Sequence, residues 1–75
     1  MSNRYRFESI FYTYPDLGII IPRFNVVINN TLAPQGQAIN KNTLIGGLNL
    51  FNYIGRSISG SWDPNTRRLT ILGFY

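Results

Sequence analysis

The sequence predicts an all-β fold: a small antiparallel barrel or sandwich of four to five strands, built from two long hairpins. Apolar and polar residues alternate in two runs, one near each end of the 75-residue chain. A cluster of turn-forming residues containing proline and aspartate interrupts each run, at residues 15–18 and 63–66. Aromatic and β-branched residues, which favour strands, dominate both runs.

The length predicts a single β domain over residues 1–75. A chain of this size buries only about 60% of its unfolded surface, so its core is marginal. The sequence has no cysteine and no histidine, which excludes a disulfide and a zinc site built on those ligands as stabilising elements. Oligomerisation is the remaining way to bury more surface.

In the first hairpin, a strand over residues 5–14 leads into the turn at 15–18, and a second strand runs back alongside it. With Tyr14 opposite Ile19 at the turn, this register predicts five pairs on the other face of the hairpin: Thr13 with Ile20, Phe11 with Pro22, Ser9 with Phe24, Phe7 with Val26 and Tyr5 with Ile28. Their side chains share an almost wholly apolar face. Pro22 has no N–H, so we expect its strand to have an edge or a bulge at that point.

The reverse face of this hairpin is apolar near the turn, where it carries Tyr12, Tyr14, Ile19 and Ile21. Further from the turn we expect Glu8 to neutralise a nearby arginine, either Arg6 or Arg23. A two-layer monomer of this size cannot cover both apolar faces, so the reverse face is a candidate binding surface.

The middle of the chain is less regular. Residues 29–43 read as a loop with a short extended piece at 37–39. Residues 44–55 fit either a helix capped by Asn42 or a strand. We favour the strand, because Gly46 and Gly47 weaken a helix, and it would place Leu48, Leu50, Asn52 and Ile54 on one face.

The second hairpin spans residues 56–75 and turns at Asp63, whose side chain we expect to accept main-chain N–H bonds. The predicted pairs are Trp62 with Arg67, Gly60 with Leu69 and Ile58 with Ile71, all on one apolar face. Serines and Arg68 make the other face polar. Trp62 has two interpretations: core residue of the hairpin, or, with Arg67, a platform for a base, a sugar or a partner side chain.

Without histidine or cysteine, the chain lacks the usual catalytic nucleophile–base pairs and imidazole or thiolate metal ligands. The only carboxylate side chains are Glu8, Asp16 and Asp63, and two of these lie in predicted turns. No glycine-rich phosphate-binding pattern is present. We therefore expect no enzymatic activity, no cofactor and no catalytic or metal site.

The net charge is +4, although only 13% of residues are charged. A surface with few charges loses little solvation when it packs against another copy of the chain. The sequence thus favours a binding or assembly module, a homo-oligomer or a protein-binding domain. The predicted binding residues are Tyr12, Tyr14, Ile19, Ile21, Arg23, Trp62 and Arg67.

Two alternatives remain open. A nucleic-acid-binding barrel would combine arginines with aromatic residues, drawing on Arg4, Arg6, Arg67, Arg68, Tyr5, Phe7, Trp62 and Tyr75. A carbohydrate-binding, lectin-like module would use tyrosines and asparagines. The sequence shows no secretory signal and no stretch long enough to span a membrane, which predicts a cytoplasmic location by default.

Overall fold

The computed structural model of the protein describes residues 3–75 and has an all-β fold, as the sequence predicts. The strands are β1 (Asn3–Arg6), β2 (Phe11–Tyr14), β3 (Ile19–Pro22), β4 (Asn25–Ile28), β5 (Thr31–Ala33), β6 (Ile39–Asn40), β7 (Ser57–Asp63) and β8 (Arg68–Phe74). A single helical turn, α1 (Phe7–Ile10), separates β1 from β2, and a 3₁₀ helix covers Leu50–Tyr53.

The strands form two sheets. One has five strands in the order β1-β7-β8-β4-β5, and the other has three in the order β2-β3-β6. All pairings between these strands are antiparallel except that of β4 with β8, which is parallel. The strands are shorter and more numerous than the two-hairpin plan predicts, because the first hairpin is divided between the two sheets.

Helical turn α1 makes this division. Phe7 and Ile10 are both fully buried. Residues three apart point to opposite faces of a strand but to the same side of a helix, so only the helical turn directs both side chains into one core. The Phe7 ring stacks on that of Phe11, with centroids 4.7 Å apart.

As a result, the outer half of the predicted first hairpin is wrong. The pairs Ser9 with Phe24, Phe7 with Val26 and Tyr5 with Ile28 do not form. Strand β1 pairs instead with β7, which places Tyr5 opposite Ile58. The inner half is confirmed: in β2 and β3, Phe11 pairs with Pro22 and Tyr14 with Ile19.

Pro22 lies in β3, the middle strand of the smaller sheet. Strand β6 pairs only with Ile19 and Ile20 and ends before the proline. The carbonyl of Pro22 accepts a bond of 3.0 Å from the N–H of Gly36. At Pro22, β3 therefore has no neighbour among the described strands on the side of β6, and no hydrogen-bond acceptor is left unpaired by the absence of a proline N–H. Proline is tolerated at such a local edge of a sheet.

Strand β5 is absent from the sequence prediction. Asn29 and Asn30 have φ of 48° and 64° and reverse the chain directly into β5. Asparagine adopts this left-handed region more readily than most residues, and two such residues in a row form the tight turn that suits a β-hairpin. The predicted extended piece at 37–39 overlaps β6 only at Ile39.

The strand predicted within residues 44–55 is wrong. Gly46 and Gly47 both have positive φ and form a tight reversal closed by two main-chain bonds between Ile45 and Leu48. The 3₁₀ helix follows, and the side chain of Asn49 accepts a bond of 3.0 Å from Phe51 N at its start. The consecutive glycines turn the chain instead of bending a strand.

The second hairpin forms, but its predicted register is wrong by two residues at Trp62 and Gly60. A bulge between Ser59 and Gly60 makes it wrong by three at Ile58, which pairs with Phe74 and not Ile71. Trp62 pairs with Leu69 and Asp63 with Arg68, so the connecting loop is 64–67. As expected, the Asp63 carboxylate accepts an N–H bond, from Asn65, at 2.9 Å. Between the turn and the bulge, a shift of two preserves the face on which each side chain lies, and the alternating burial of β7 keeps Ile58 on the apolar face beyond it.

The hydrophobic core joins the two sheets and α1. Its buried residues are Phe7, Ile10, Phe11, Ile20, Val26, Ile28, Ala33, Ile39, Leu50, Ile58, Leu69 and Ile71. Most of the larger ones are completely inaccessible. The inward face of β2 and β3 packs on this core, which leaves the other face of these strands outward.

Candidate binding surface

The outward face of β2 and β3, termed here the tyrosine face, consists of Tyr12, Tyr14, Ile19 and Ile21. Tyr12 pairs with Ile21 and Tyr14 with Ile19, so all four side chains project to the same side, as predicted. Tyr12 is 45% and Tyr14 43% exposed, and the two isoleucines are partly buried. This is an apolar surface with phenolic oxygens at its rim.

Arg23 extends the tyrosine face beyond β3. Its guanidinium carbon lies 4.0 Å from the centre of the Tyr12 ring, a cation–π contact. Its Nε donates a bond of 3.0 Å to the main-chain carbonyl of Glu8. This bond reaches the main-chain carbonyl of Glu8 and not its carboxylate, so it does not provide the predicted neutralisation of Glu8. That bond uses one of the five N–H donors of Arg23.

A groove lies next to this position, with a volume of about 390 Å³. Its lining residues are Arg23, Phe24, Gln35, Trp62 and Arg67, and it is termed here the arginine–tryptophan groove. Three of the seven predicted binding residues, Arg23, Trp62 and Arg67, thus meet at one place. Because Arg23 also contacts Tyr12, the groove and the tyrosine face are continuous.

Trp62 lies outside the buried core, with 39% of its surface exposed. Its ring contacts that of Phe24 edge to face, with centroids 5.4 Å apart and planes at 65°. The interpretation of Trp62 as a core residue of the hairpin is therefore wrong. Its position at the loop end of β7 matches the alternative interpretation of an accessible aromatic platform.

Arg67 has an unusual main-chain conformation. Its φ is 54°, in the left-handed region that residues with a Cβ rarely occupy. A side chain there costs roughly 1–2 kcal/mol. The preceding turn, closed by Asp63, fixes this residue at the end of loop 64–67, beside Trp62.

No carboxylate lines the described groove, and two arginines do. Asp63 follows Trp62 in the chain, but its Oδ1 is bonded to Asn65 N. The groove is therefore positively charged and aromatic. A second, smaller cavity of about 180 Å³ has no charged side chain in its lining, which includes Leu32, Gln37, Thr43 and Ile45.

The other residues of the nucleic-acid alternative lie elsewhere. Phe7 is fully buried, which removes it as a ligand contact. Arg4 lies over the ring of Tyr75, with its guanidinium carbon 3.9 Å from the ring centre. Arg68 is exposed and neighbours Arg67 in the chain, but it is not part of the groove lining.

Two residues of the groove, Phe24 and Gln35, are absent from the sequence prediction. The extended first hairpin would place Phe24 on the apolar face opposite Ser9, but β3 ends at Pro22 and Phe24 is 36% exposed. Gln35 reaches the groove because its N–H donates a bond of 2.9 Å to the side chain of Asn25. Neither position has a local sequence signal, because both depend on contacts between distant segments.

Comparison with protein-family models, curated protein sequences and solved structures gives no match. Among residues 3–75, no helix has the length and apolar character needed to cross a bilayer. The tyrosine face and the arginine–tryptophan groove are therefore the features of this protein that indicate a function.

Proposed function

We propose that the protein is a non-enzymatic binding module that self-associates through its tyrosine face. The observation that carries this proposal is the exposure of Tyr12 and Tyr14 beside Ile19 and Ile21 on a sheet whose other face already packs on the core. An apolar sheet face of this kind gains free energy when a second apolar surface excludes water from it.

A second copy of the chain is a suitable partner, because a two-fold axis places the tyrosine face of one copy against the tyrosine face of the other. Tyrosine and isoleucine are then opposed to tyrosine and isoleucine. The described tyrosine face contains no charged residue, and the neighbouring cation, Arg23, is stacked on Tyr12. Bringing two such faces together opposes few like charges and desolvates little charge.

The size of the tyrosine face sets the expected strength of association. Four residues per strand give a length of about 13 Å, and two strands give a width of about 10 Å. This footprint is well below the roughly 800 Å² per partner of a standard interface. Even with Leu17, which is 71% exposed in the adjoining turn, we expect a weak dimer with a micromolar or higher dissociation constant.

Packing of faces is favoured over addition of a strand at the outer edge of β2. The Arg23 N–H donates to the Ile10 carbonyl, so this pair is hydrogen-bonded. Hydrogen-bonded and non-hydrogen-bonded pairs alternate in an antiparallel ladder, so the main-chain N–H and C=O groups of Phe11 and Thr13 point away from β3. Phe11 N–H already donates to Phe7 O within α1, and Pro15 has no N–H. Thr13 is thus the only residue of β2 that offers both main-chain groups to a new strand.

The test is the molar mass in solution, measured by light scattering during size-exclusion chromatography. Tyr14→Thr and Ile19→Thr keep residues that favour strands while removing apolar surface, and each should shift the protein towards monomer. Leu72→Thr is the matched control, because Leu72 is 60% exposed on the polar face of the second hairpin. Equal effects of all three substitutions would count against the tyrosine face as the interface.

A further inference from the structure

We propose that the arginine–tryptophan groove binds single-stranded nucleic acid, with a base stacked on Trp62 and backbone phosphate held by Arg23 and Arg67. This site goes beyond self-association and does not depend on it. The supporting observation is the convergence of two arginines and two exposed aromatic rings from two distant segments of the chain, residues 23–24 and the hairpin that carries Trp62 and Arg67.

The aromatic part of the groove suits a planar ligand. Trp62 and Phe24 meet edge to face, an arrangement that covers a flat face of only one of the two rings. Solvent reaches both side chains, at 39% and 36% exposure. A nucleobase can therefore stack on an aromatic face of the groove, as bases do in proteins that bind single strands.

The two arginines provide the cationic part. Arg23 is held by the ring of Tyr12 and the carbonyl of Glu8, so binding an anion costs it less side-chain entropy than a freely moving arginine would lose. Arg67 lines the same groove from loop 64–67. Guanidinium groups bind phosphate through paired N–H donors, which a nucleotide backbone can satisfy repeatedly.

Gln35 adds hydrogen-bonding capacity. Its side-chain amide has both a donor and an acceptor, the combination that a base edge presents. The bond from Gln35 N to Asn25 Oδ1 fixes its main chain beside the groove. Trp62, the two arginines and Gln35 thus supply the contacts that a nucleotide requires: stacking, phosphate binding and hydrogen bonding.

The main-chain conformation of Arg67 is a second observation in favour of a site. Strained left-handed residues cluster at binding sites, where they place a side chain that a relaxed chain would direct elsewhere. Glycine or asparagine suits φ of 54° better than arginine does. Arginine at this position carries a conformational cost, and it places a guanidinium group at the groove.

Single-stranded nucleic acid fits the groove better than a duplex or a neutral sugar. A duplex keeps its base faces stacked, whereas an aromatic groove needs them free. A neutral sugar would leave both guanidinium groups without a counter-charge. The net charge of +4 also draws a polyanion towards the protein at low salt.

Trp62 is the only tryptophan of the chain, so its fluorescence reports on the groove directly. The experiment titrates the full-length protein with a thymidine oligonucleotide and follows quenching of Trp62. It is repeated at several salt concentrations. Contacts with two phosphates predict that the logarithm of the association constant falls with the logarithm of salt concentration with a slope of about −1.4.

The matched pair Arg67→Gln and Arg68→Gln distinguishes binding at the groove from general electrostatic attraction to a positively charged protein. Both remove one positive charge from neighbouring exposed positions, but only Arg67 lines the groove. We expect Arg67→Gln to weaken binding by about fivefold to tenfold and to reduce the slope by about 0.7, with a clearly smaller effect of Arg68→Gln. A labelled oligonucleotide followed by fluorescence polarisation should bind Trp62→Phe far better than Trp62→Ala.

Equal losses in Arg67→Gln and Arg68→Gln would overturn the proposal and reduce any binding to general electrostatic attraction. Absence of quenching by the oligonucleotide at low salt would also overturn it. So would a change of Trp62 fluorescence that depends only on protein concentration, because the groove would then be buried between copies of the chain.

Discussion

Arg23 stacks on Tyr12, with its guanidinium carbon 4.0 Å from the ring centre, and this contact joins the tyrosine face to the arginine–tryptophan groove. Tyr12 belongs to the face and Arg23 lines the groove. The bond from Arg23 Nε to Glu8 O fixes the same side chain from a third segment. A substitution at either residue should therefore affect both surfaces.

The stacked pair should show measurable coupling in stability. A double-mutant cycle of Tyr12→Thr and Arg23→Gln, followed by chemical denaturation, should give an interaction free energy of about 0.5–1 kcal/mol. The same cycle with Tyr14→Thr in place of Tyr12→Thr is the control. Additivity of the Tyr12 and Arg23 substitutions to within about 0.3 kcal/mol would show that the stacking contributes no stability.

Replacing Arg67 with glycine should change stability and binding in opposite directions. Arg67→Gly removes the strain of a left-handed side chain, although glycine gains entropy in the unfolded state, so we expect the free energy of unfolding to rise by about 0.5–1 kcal/mol. Arg68→Gly, in the regular strand β8, should lower it by a similar amount. Oligonucleotide affinity should fall in Arg67→Gly despite its greater stability. A destabilised Arg67→Gly would contradict this account of the loop.

Gly46 should be essential to the reversal before the 3₁₀ helix. A Cβ at this position would lie 2.5 Å from the carbonyl oxygen of Ile28, and φ is 59°. Gly46→Ala should therefore lose more than about 2 kcal/mol of unfolding free energy, from strain and the main-chain clash together.

Gly36→Ala is the matched control for Gly46→Ala. Gly36 also has positive φ, 81°, but no atom lies within 4 Å of the added Cβ. It should lose only about 1 kcal/mol, from the conformational cost alone. Thermal or urea denaturation of the two variants gives the comparison, and equal losses would contradict the predicted clash.

The parts of the fold that the sequence predicts are the local ones. The turn at 15–18 sets the register of β2 and β3, so alternation correctly places Tyr12 and Tyr14 on one outward face. The same alternation fails at Phe7 and Ile10, because a run of apolar residues does not distinguish a strand from one helical turn.

The remaining features depend on contacts between distant segments. The parallel pairing of β4 with β8 joins residues more than forty positions apart and has no local signal. The groove depends on this pairing, because it places Asn25 opposite Arg68. The residues that precede them in the chain, Phe24 and Arg67, are thereby brought to the same place. Sequence alone therefore identifies Trp62 and Arg67 as candidates without showing that Phe24 and Gln35 complete their site.

Self-association through the tyrosine face is tested most directly by sedimentation of the unmodified protein from about 1 μM to about 1 mM, the range in which a weak dimer forms. We predict that the mean mass rises from the 8.6 kDa of one chain towards twice that value, and that Tyr14→Thr lowers the mass at the highest concentrations. A mass that stays at 8.6 kDa throughout would contradict the account.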